Sequence, residues 1–222
     1  MTRNELARLI DHSVLHPEAT EEEIRAGTDI VRTWAIAFYC VQPCWVRIAA
    51  RALAGTDARV VSVVGFPHGC DRAEVKARAA VIAVEEGAAE IDMVMAFGAL
   101  RSGHGDIVAA DIEAVVGAVP GIPVKVILET RVLSDSEKRL ACRIACDAGA
   151  HFVKTSTGFH PRGGATVADV QLLRAAVGAT VGVKAAGGIR NLTDAHAMIA
   201  AGANRIGTSA SAAILAAIES TT

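Results

Sequence analysis

The sequence has 222 residues, 52% of them apolar and 21% charged, with a formal net charge of −2. That is apolar material for one large core and too little for two generous ones, so a single domain over residues 1–222 is expected. Near-zero charge without a Lys/Arg stripe argues against a nucleic-acid partner, and no apolar run is long enough to span a bilayer. Met1-Thr2-Arg3-Asn4-Glu5 lacks the basic and apolar regions of a secretory leader, so a cytoplasmic protein acting on small molecules is expected. Cys40, Cys44, Cys70, Cys142 and Cys146 form no disulfide framework and read as free thiols of a reducing compartment.

Along the chain, a short strand candidate at 9–11 is followed by apolar runs at 35–40, 59–65, 90–95, 124–129, 151–154, 181–184 and 205–207 that read as buried strands. A short helix is expected before the first of them. Amphipathic, Ala-rich stretches alternate with the strands, among them 71–86, 106–119, 134–148, 167–177 and 193–201, with polar starts that can cap helices. Eight strands at intervals of roughly 25 to 35 residues fit parallel strands joined by crossover helices, so a (β/α)8 TIM barrel is expected. An open doubly wound sheet is the alternative, but neither G-x-G-x-x-G nor a Walker loop follows the early strands.

In such a barrel the reactive groups lie at the C-terminal ends of the strands. Those ends are Asp11, Cys40, Gly65, Asp92, Glu129, Lys154, Lys184 and Gly207. Lysine usage narrows the choice, because the chain has five lysines, at Lys76, Lys125, Lys138, Lys154 and Lys184, against seventeen arginines. Three of the five fall inside predicted strands, where burying a charge is costly. An amine, unlike a guanidinium, can lose its proton near neutrality and attack a carbonyl, and a neighbouring ammonium together with burial favours that loss. Composition and spacing alone leave a second reading open, in which the lysines pair with Glu90, Asp92 or Glu129 in a buried ionic network that only holds the barrel centre.

Local motifs separate the two. Phe152-Val153-Lys154-Thr155-Ser156-Thr157-Gly158 and Val183-Lys184-Ala185-Ala186-Gly187-Gly188-Ile189-Arg190 resemble the two lysine strands of the deoxyribose-phosphate aldolase family of class I aldolases. Further matches follow in the family's order: Asp11-His12-Ser13-Val14-Leu15, Val63-Val64-Gly65-Phe66-Pro67, Glu90-Ile91-Asp92-Met93-Val94, Lys125-Val126-Ile127-Leu128-Glu129-Thr130 and Arg205-Ile206-Gly207-Thr208-Ser209. The A-G-G-I and G-T-S pieces recur in many phosphate-binding barrels, whereas K-T-S-T-G paired with K-x-A-G-G is close to diagnostic.

The resemblance implies that Lys154 forms an imine, that Lys184 lowers its pKa and that Asp92 relays protons with Lys184 and water. It implies reversible cleavage of 2-deoxy-D-ribose 5-phosphate to glyceraldehyde 3-phosphate and acetaldehyde, in deoxyribonucleoside catabolism, with no metal or other cofactor, in a homodimer. The phosphate is expected at the loops after strands seven and eight, on Gly187, Gly188, Gly207 and Ser209, with Ser209 adding a hydroxyl and the positive end of the final Ala-rich helix. Gly158 is carried over as a further phosphate contact. By position alone, Asp11 reads either as a support for Lys184 or water or as a cap of the next segment, and Lys125 either as a supporting site residue or as the structural ion-pair partner of Glu129. Three features depart from some members: Phe159 in place of a lysine after T-S-T-G, Ala210 in place of a second serine, and Thr221-Thr222 in place of a terminal tyrosine.

The remaining conspicuous residues read as structural. Cys40 is expected as a small core thiol, the spacing Cys142/Cys146 or His12/His16 lacks further ligands for a metal, and His68 reads as an exposed loop residue. Lys125 and Glu129, four apart in one predicted strand, are expected on the same face, and Lys76 is expected to be exposed. Two other functions stay in view: a Schiff-base barrel for a different sugar phosphate, and a non-catalytic phosphosugar-binding barrel that retains Gly187, Gly188 and Ser209.

Overall fold

The computed structural model describes residues 1–218; Thr221 and Thr222 lie outside them. Eight strands, β1 (Ile10–Val14), β2 (Phe38–Val41), β3 (Arg59–Val64), β4 (Glu90–Val94), β5 (Val124–Ile127), β6 (Phe152–Lys154), β7 (Gly182–Ala186) and β8 (Arg205–Thr208), pair in parallel in chain order. Pairing of β8 with β1 closes the barrel. The helices are α1 (Arg3–Ala7), α2 (Glu21–Thr33), α3 (Val46–Ala52), α4 (Ala73–Glu85), α5 (Phe97–Arg101), α6 (Gly105–Ala118), α7 (Asp135–Asp147), α8 (Val167–Val177), α9 (Leu192–Ala200) and α10 (Ser211–Ala216). The expected (β/α)8 barrel and the short helix before its first strand are both present.

Local chemistry accounts for the starts of α1, α2, α7, α8 and α9. Thr2 with Glu5, Thr20 with Glu23 and Ser134 with Glu137 form capping boxes, and Thr166 and Asn191 cap α8 and α9. Each cap satisfies otherwise orphaned N–H groups and contributes about 1 kcal/mol. Helix α2 buries Ile24, Gly27, Thr28 and Val31, one face at helical spacing. Gly27 on that face is required by close packing: a Cβ there would stand 2.2 Å from the Tyr39 hydroxyl, which donates to the Ile24 carbonyl at 2.9 Å.

Because side chains alternate along a strand, each barrel strand faces the helices with one set and the interior with the other. The outer set and the helices form the main apolar core. Inside the barrel, Leu15, Cys40, Val61 and Val63, with Phe38 and Phe66 against them, make a small apolar cluster on one side. The other side of the interior carries Asp11, Glu90, Asp92, Lys125, Lys154, Lys184 and Arg205, all buried.

Several expectations change at the strand ends. Strand β1 runs on to Val14 and β7 to Ala186, so Asp11, Asp92 and Lys184 lie within their strands, one layer below the mouth. Strand β5 stops at Ile127, and Glu129 adopts a left-handed backbone (φ 56°, ψ 61°). The period-two rule therefore fails between Lys125 and Glu129, and no ion pair joins them: Lys125 meets Glu90 and Asp92, while Glu129 accepts hydrogen bonds from the Thr157 N–H at 3.2 Å and Oγ1 at 2.5 Å. Cys142 is buried in the main core, Cys146 is partly buried, and His68 is exposed.

Lys76 also departs from expectation, because it is completely buried rather than exposed. Its ammonium donates to the Gly69 and Val94 carbonyls, each at 2.9 Å, and to Asp111 Oδ2 at 2.7 Å, tying α4 and α6 to the loop after β3 and the end of β4. Removing one partner of a buried pair strands the other in a medium that solvates it poorly, at a cost of about 3 kcal/mol or more. Lys76→Met should lower unfolding stability by that amount in urea titration; a change below about 0.5 kcal/mol would mean that the pair carries no net stabilisation.

Candidate active site

Strand register assembles the site. Lys154 on β6 lies beside Lys184 on β7, and Asp92 on β4 lies beside Lys125 on β5, each pair matched residue to residue across adjacent parallel strands. Both lysines of the first pair donate to Asp92 Oδ2 at 2.7 Å, and Lys125 donates to Asp92 Oδ1 at 2.9 Å. Lys184 also donates to Asp11, whose other oxygen accepts from Arg205 Nη1 at 2.9 Å. Arg205 reaches Glu90 at 3.2 Å, and Glu90 meets Lys125 at 2.5 Å. The contacts close a ring, Asp92, Lys184, Asp11, Arg205, Glu90, Lys125 and back to Asp92, in which carboxylates and cations alternate. Lys154 is attached to it at Asp92 only.

Burial and charge set the protonation of these groups. Burial drives Lys154 below the ordinary lysine range, the Lys184 charge pushes the same way, and Asp92 opposes both. Desolvation leads, and the Lys184 charge is a lesser cause of the same sign. Lys184 itself goes the other way: against the cost of burial, Asp11 and Asp92 hold its ammonium above the usual range. Despite burial, Lys125, Lys154 and Lys184 together keep Asp92 well below the usual carboxylate range. Burial, reinforced by Asp92, pushes the Cys40 thiol up to about 11, so it is a neutral wall group.

Above this layer a cavity of about 280 Å³ opens at the C-terminal mouth. Lys154, Lys184, Asp11, Gly158, Gly187, Gly188, Gly207 and Ser209, all selected from the sequence, line it. Asp92 and Lys125 do not; both are fully buried directly behind the amines. Ser13, His16, Thr157, Phe159 and Arg190 line the wall as well and were not selected. Arg190, next to the glycine turn, supplies a cation on that wall where Phe159 supplies none. Phe159 instead meets Phe66 edge to face across the mouth, ring centroids 5.3 Å apart. Ala210 stands at the N-cap of α10 without a side-chain cap bond. Alternation along β8 would have found Arg205, which shares a face with Gly207.

Two glycines have steric reasons. Gly187 has φ 88°, and a Cβ there would lie 2.9 Å from the Gly164 Cα and 3.1 Å from the Gly158 Cα, because the loops after β6 and β7 pack backbone to backbone. At Gly207 a Cβ would lie 3.0 Å from the Ala186 Cβ and 3.1 Å from the Lys184 Cε. Gly207 thus leaves room for the buried Lys184 stem as well as lining the cavity. Gly207→Ala should displace that amine and slow any reaction at Lys154 about tenfold or more, read as the rate of reductive trapping; an unchanged rate would show that the stem is free to move.

Comparisons with known proteins agree with this geometry. Residues 6–217 match the profile described as DeoC/LacD family aldolase. The deoxyribose-phosphate aldolase of Caldanaerobacter subterraneus is 53% identical over 213 residues, covering 95% of this chain and 92% of that one. That of Streptococcus gordonii is 51% identical over 210 residues, covering 95% of each. Among solved structures, the deoxyribose phosphate aldolase of Aeropyrum pernix, described as a unique tetramer, superimposes with a TM-score of 0.90 at 31% identity, over 100% of this chain and 94% of that one. The barrel, the paired lysines of β6 and β7 and these relatives together show that the chain belongs to the DeoC/LacD family of aldolases.

Proposed function

We propose that the protein is a class I aldolase that reversibly cleaves 2-deoxy-D-ribose 5-phosphate to D-glyceraldehyde 3-phosphate and acetaldehyde, in the deoxyribonucleoside catabolism of the cytoplasm. The single observation that carries the reading is a buried primary amine, Lys154, with depressed basicity at the floor of a cavity and a charged second lysine beside it. Family membership supplies the substrate.

In this mechanism the Lys154 amine adds to the C1 aldehyde of the open-chain sugar. The Lys184 ammonium, on the cavity wall, gives a proton to the departing hydroxyl, so that water leaves and a protonated imine forms. That imine draws electrons from the C2–C3 bond as it breaks. The C3 hydroxyl proton passes to the now neutral Lys184, glyceraldehyde 3-phosphate leaves, and the enamine is protonated at C2 from Lys184. Water then adds to the imine, loses a proton to Lys184 and releases acetaldehyde. Asp92, behind the wall, and Asp11, on it, stabilise the charged form of Lys184 between transfers. The glycine backbone at Gly158, Gly187 and Gly188, with Gly207 and Ser209, is assigned to the phosphate, and Lys125 supports Asp92.

Borohydride reduction in the presence of acetaldehyde or 2-deoxyribose 5-phosphate should leave a mass adduct on the peptide that carries Lys154. Lys154→Ala should retain the fold by circular dichroism and lose activity by at least about a thousandfold. Absence of an adduct, with phosphosugar binding intact, would favour a binding barrel; turnover of fructose bisphosphate instead of the deoxy sugar would favour another Schiff-base aldolase. A homodimer is proposed on the family resemblance alone, and light scattering on the eluting protein should give twice the chain mass.

A further inference from the structure

The closed ring contains three carboxylates, Asp11, Glu90 and Asp92, and three cations, Lys125, Lys184 and Arg205, so it is balanced without Lys154. Lys154 shares an Asp92 oxygen that Lys184 already occupies. We propose that Arg205, which lies at the opposite side of the ring and does not line the cavity, is a positioning residue of the reaction: by holding one oxygen of Asp11 and one of Glu90 it completes the ring and makes Lys154 the surplus cation, the one that gives up its proton.

Three observations support this beyond the charge count. Arg205 is buried and held in place, with its guanidinium carbon 3.4 Å from the centroid of the Phe38 ring and near Phe152, an environment that fixes a delocalised cation without adding an anion. A guanidinium does not lose its proton, so the surplus cannot be relieved there. The groups that face Lys154 are Asp92 on β4, Lys184 on β7 and Cys40 on β2, and behind them stand Lys125, Asp11, Glu90 and Arg205. Cys40 is neutral, so the balance among the ring members decides the protonation of Lys154. Glu129, a further buried carboxylate just after β5, is engaged by Thr157 and takes no part in the ring.

The sign follows directly. Arg205→Met keeps an apolar stem against Phe38 and removes one cation, leaving three carboxylates for three lysines. Lys184 can then satisfy Asp11 alone, Asp92 is freed for Lys154, and the Lys154 ammonium becomes more stable. The fraction of free amine at neutral pH falls, and the acid limb of the pH profile moves up.

The inference rests on Lys154 being the imine-forming lysine, so the experiment reads that lysine itself: the rate of borohydride trapping of acetaldehyde on the Lys154 peptide, measured from pH 5 to 10 by mass spectrometry. The wild-type protein must first give the adduct; without it the aldolase reading fails and the role of Arg205 falls with it. With it, Arg205→Met should shift the acid limb upward by about one unit or more, a roughly tenfold slower rate at neutral pH that recovers at high pH. Arg205→Lys, which keeps the charge on a group that can lose its proton, should place the limb between the wild-type and Arg205→Met positions, and the double variant R205M/E90Q, again with one cation in surplus, should bring the limb back toward the wild-type position. If Arg205→Met does not fold, Glu90→Gln alone decides, with a limb shifted to lower pH. An unmoved limb in the folded variants, or a loss equal at every pH, would overturn the proposal.

Discussion

The cost of removing charge from water governs the interior of this barrel. Asp11, Glu90, Asp92, Lys125, Lys154, Lys184 and Arg205 are all buried within a few ångströms of one another. An isolated ion in such a place is penalised by several kcal/mol, and a well-packed apolar interior of the same volume would often be as stable or more so. The arrangement survives because each ring member is ion-paired with two of opposite sign. Its geometry depends on parallel register: strands side by side carry Lys154 next to Lys184 and Asp92 next to Lys125, so the charges converge without long side chains having to search for partners.

That constraint explains the division of the interior. The β2–β3 side carries Cys40, Val61 and Val63, which solvate nothing, so the ring must satisfy itself from β1 and β4 to β8. A closed, low-dielectric floor in turn makes small differences in charge placement large in their effect on basicity. Two amines that are register partners and share one carboxylate oxygen are thereby shifted in opposite directions. The same physics gives two amines of unlike basicity from one residue type.

The mouth is built on a different principle, close approach of backbone. Gly158, Gly164 and Gly187 let the loops after β6 and β7 touch, and Ala165 donates to both the Ala186 and Gly187 carbonyls at 3.1 Å. Glu129, one of the few non-glycine residues with a left-handed backbone, braces the same region through Thr157. A non-glycine residue is held in that conformation only where its surroundings over-determine it, here by the buried contacts of its carboxylate.

The alternation of apolar runs and amphipathic stretches determined the barrel, because parallel strands covered on the outside by helices must read that way, and the amphipathic stretches located the starts of α4, α6, α7, α8 and α9 to within two residues. The rarity of lysine, its presence inside strands and the K-T-S-T-G and K-x-A-G-G segments singled out Lys154 and Lys184. Those signals are local, and local signals ended where a partner had to be chosen. Lys125 was as close in sequence to Glu129 as in space to Asp92, yet it pairs with the residue 33 positions away and not the one four positions away, because β5 ends at Ile127 and the backbone turns left-handed. Lys76 carries nothing in its own segment that announces burial; Asp111, 35 residues on, accepts its proton donors only after α4 packs on α6. Arg205 joined the ring for the same reason. Residue type and periodicity fix what each strand can offer, and barrel closure, which brings β8 against β1 and both to β4, decides which charges meet.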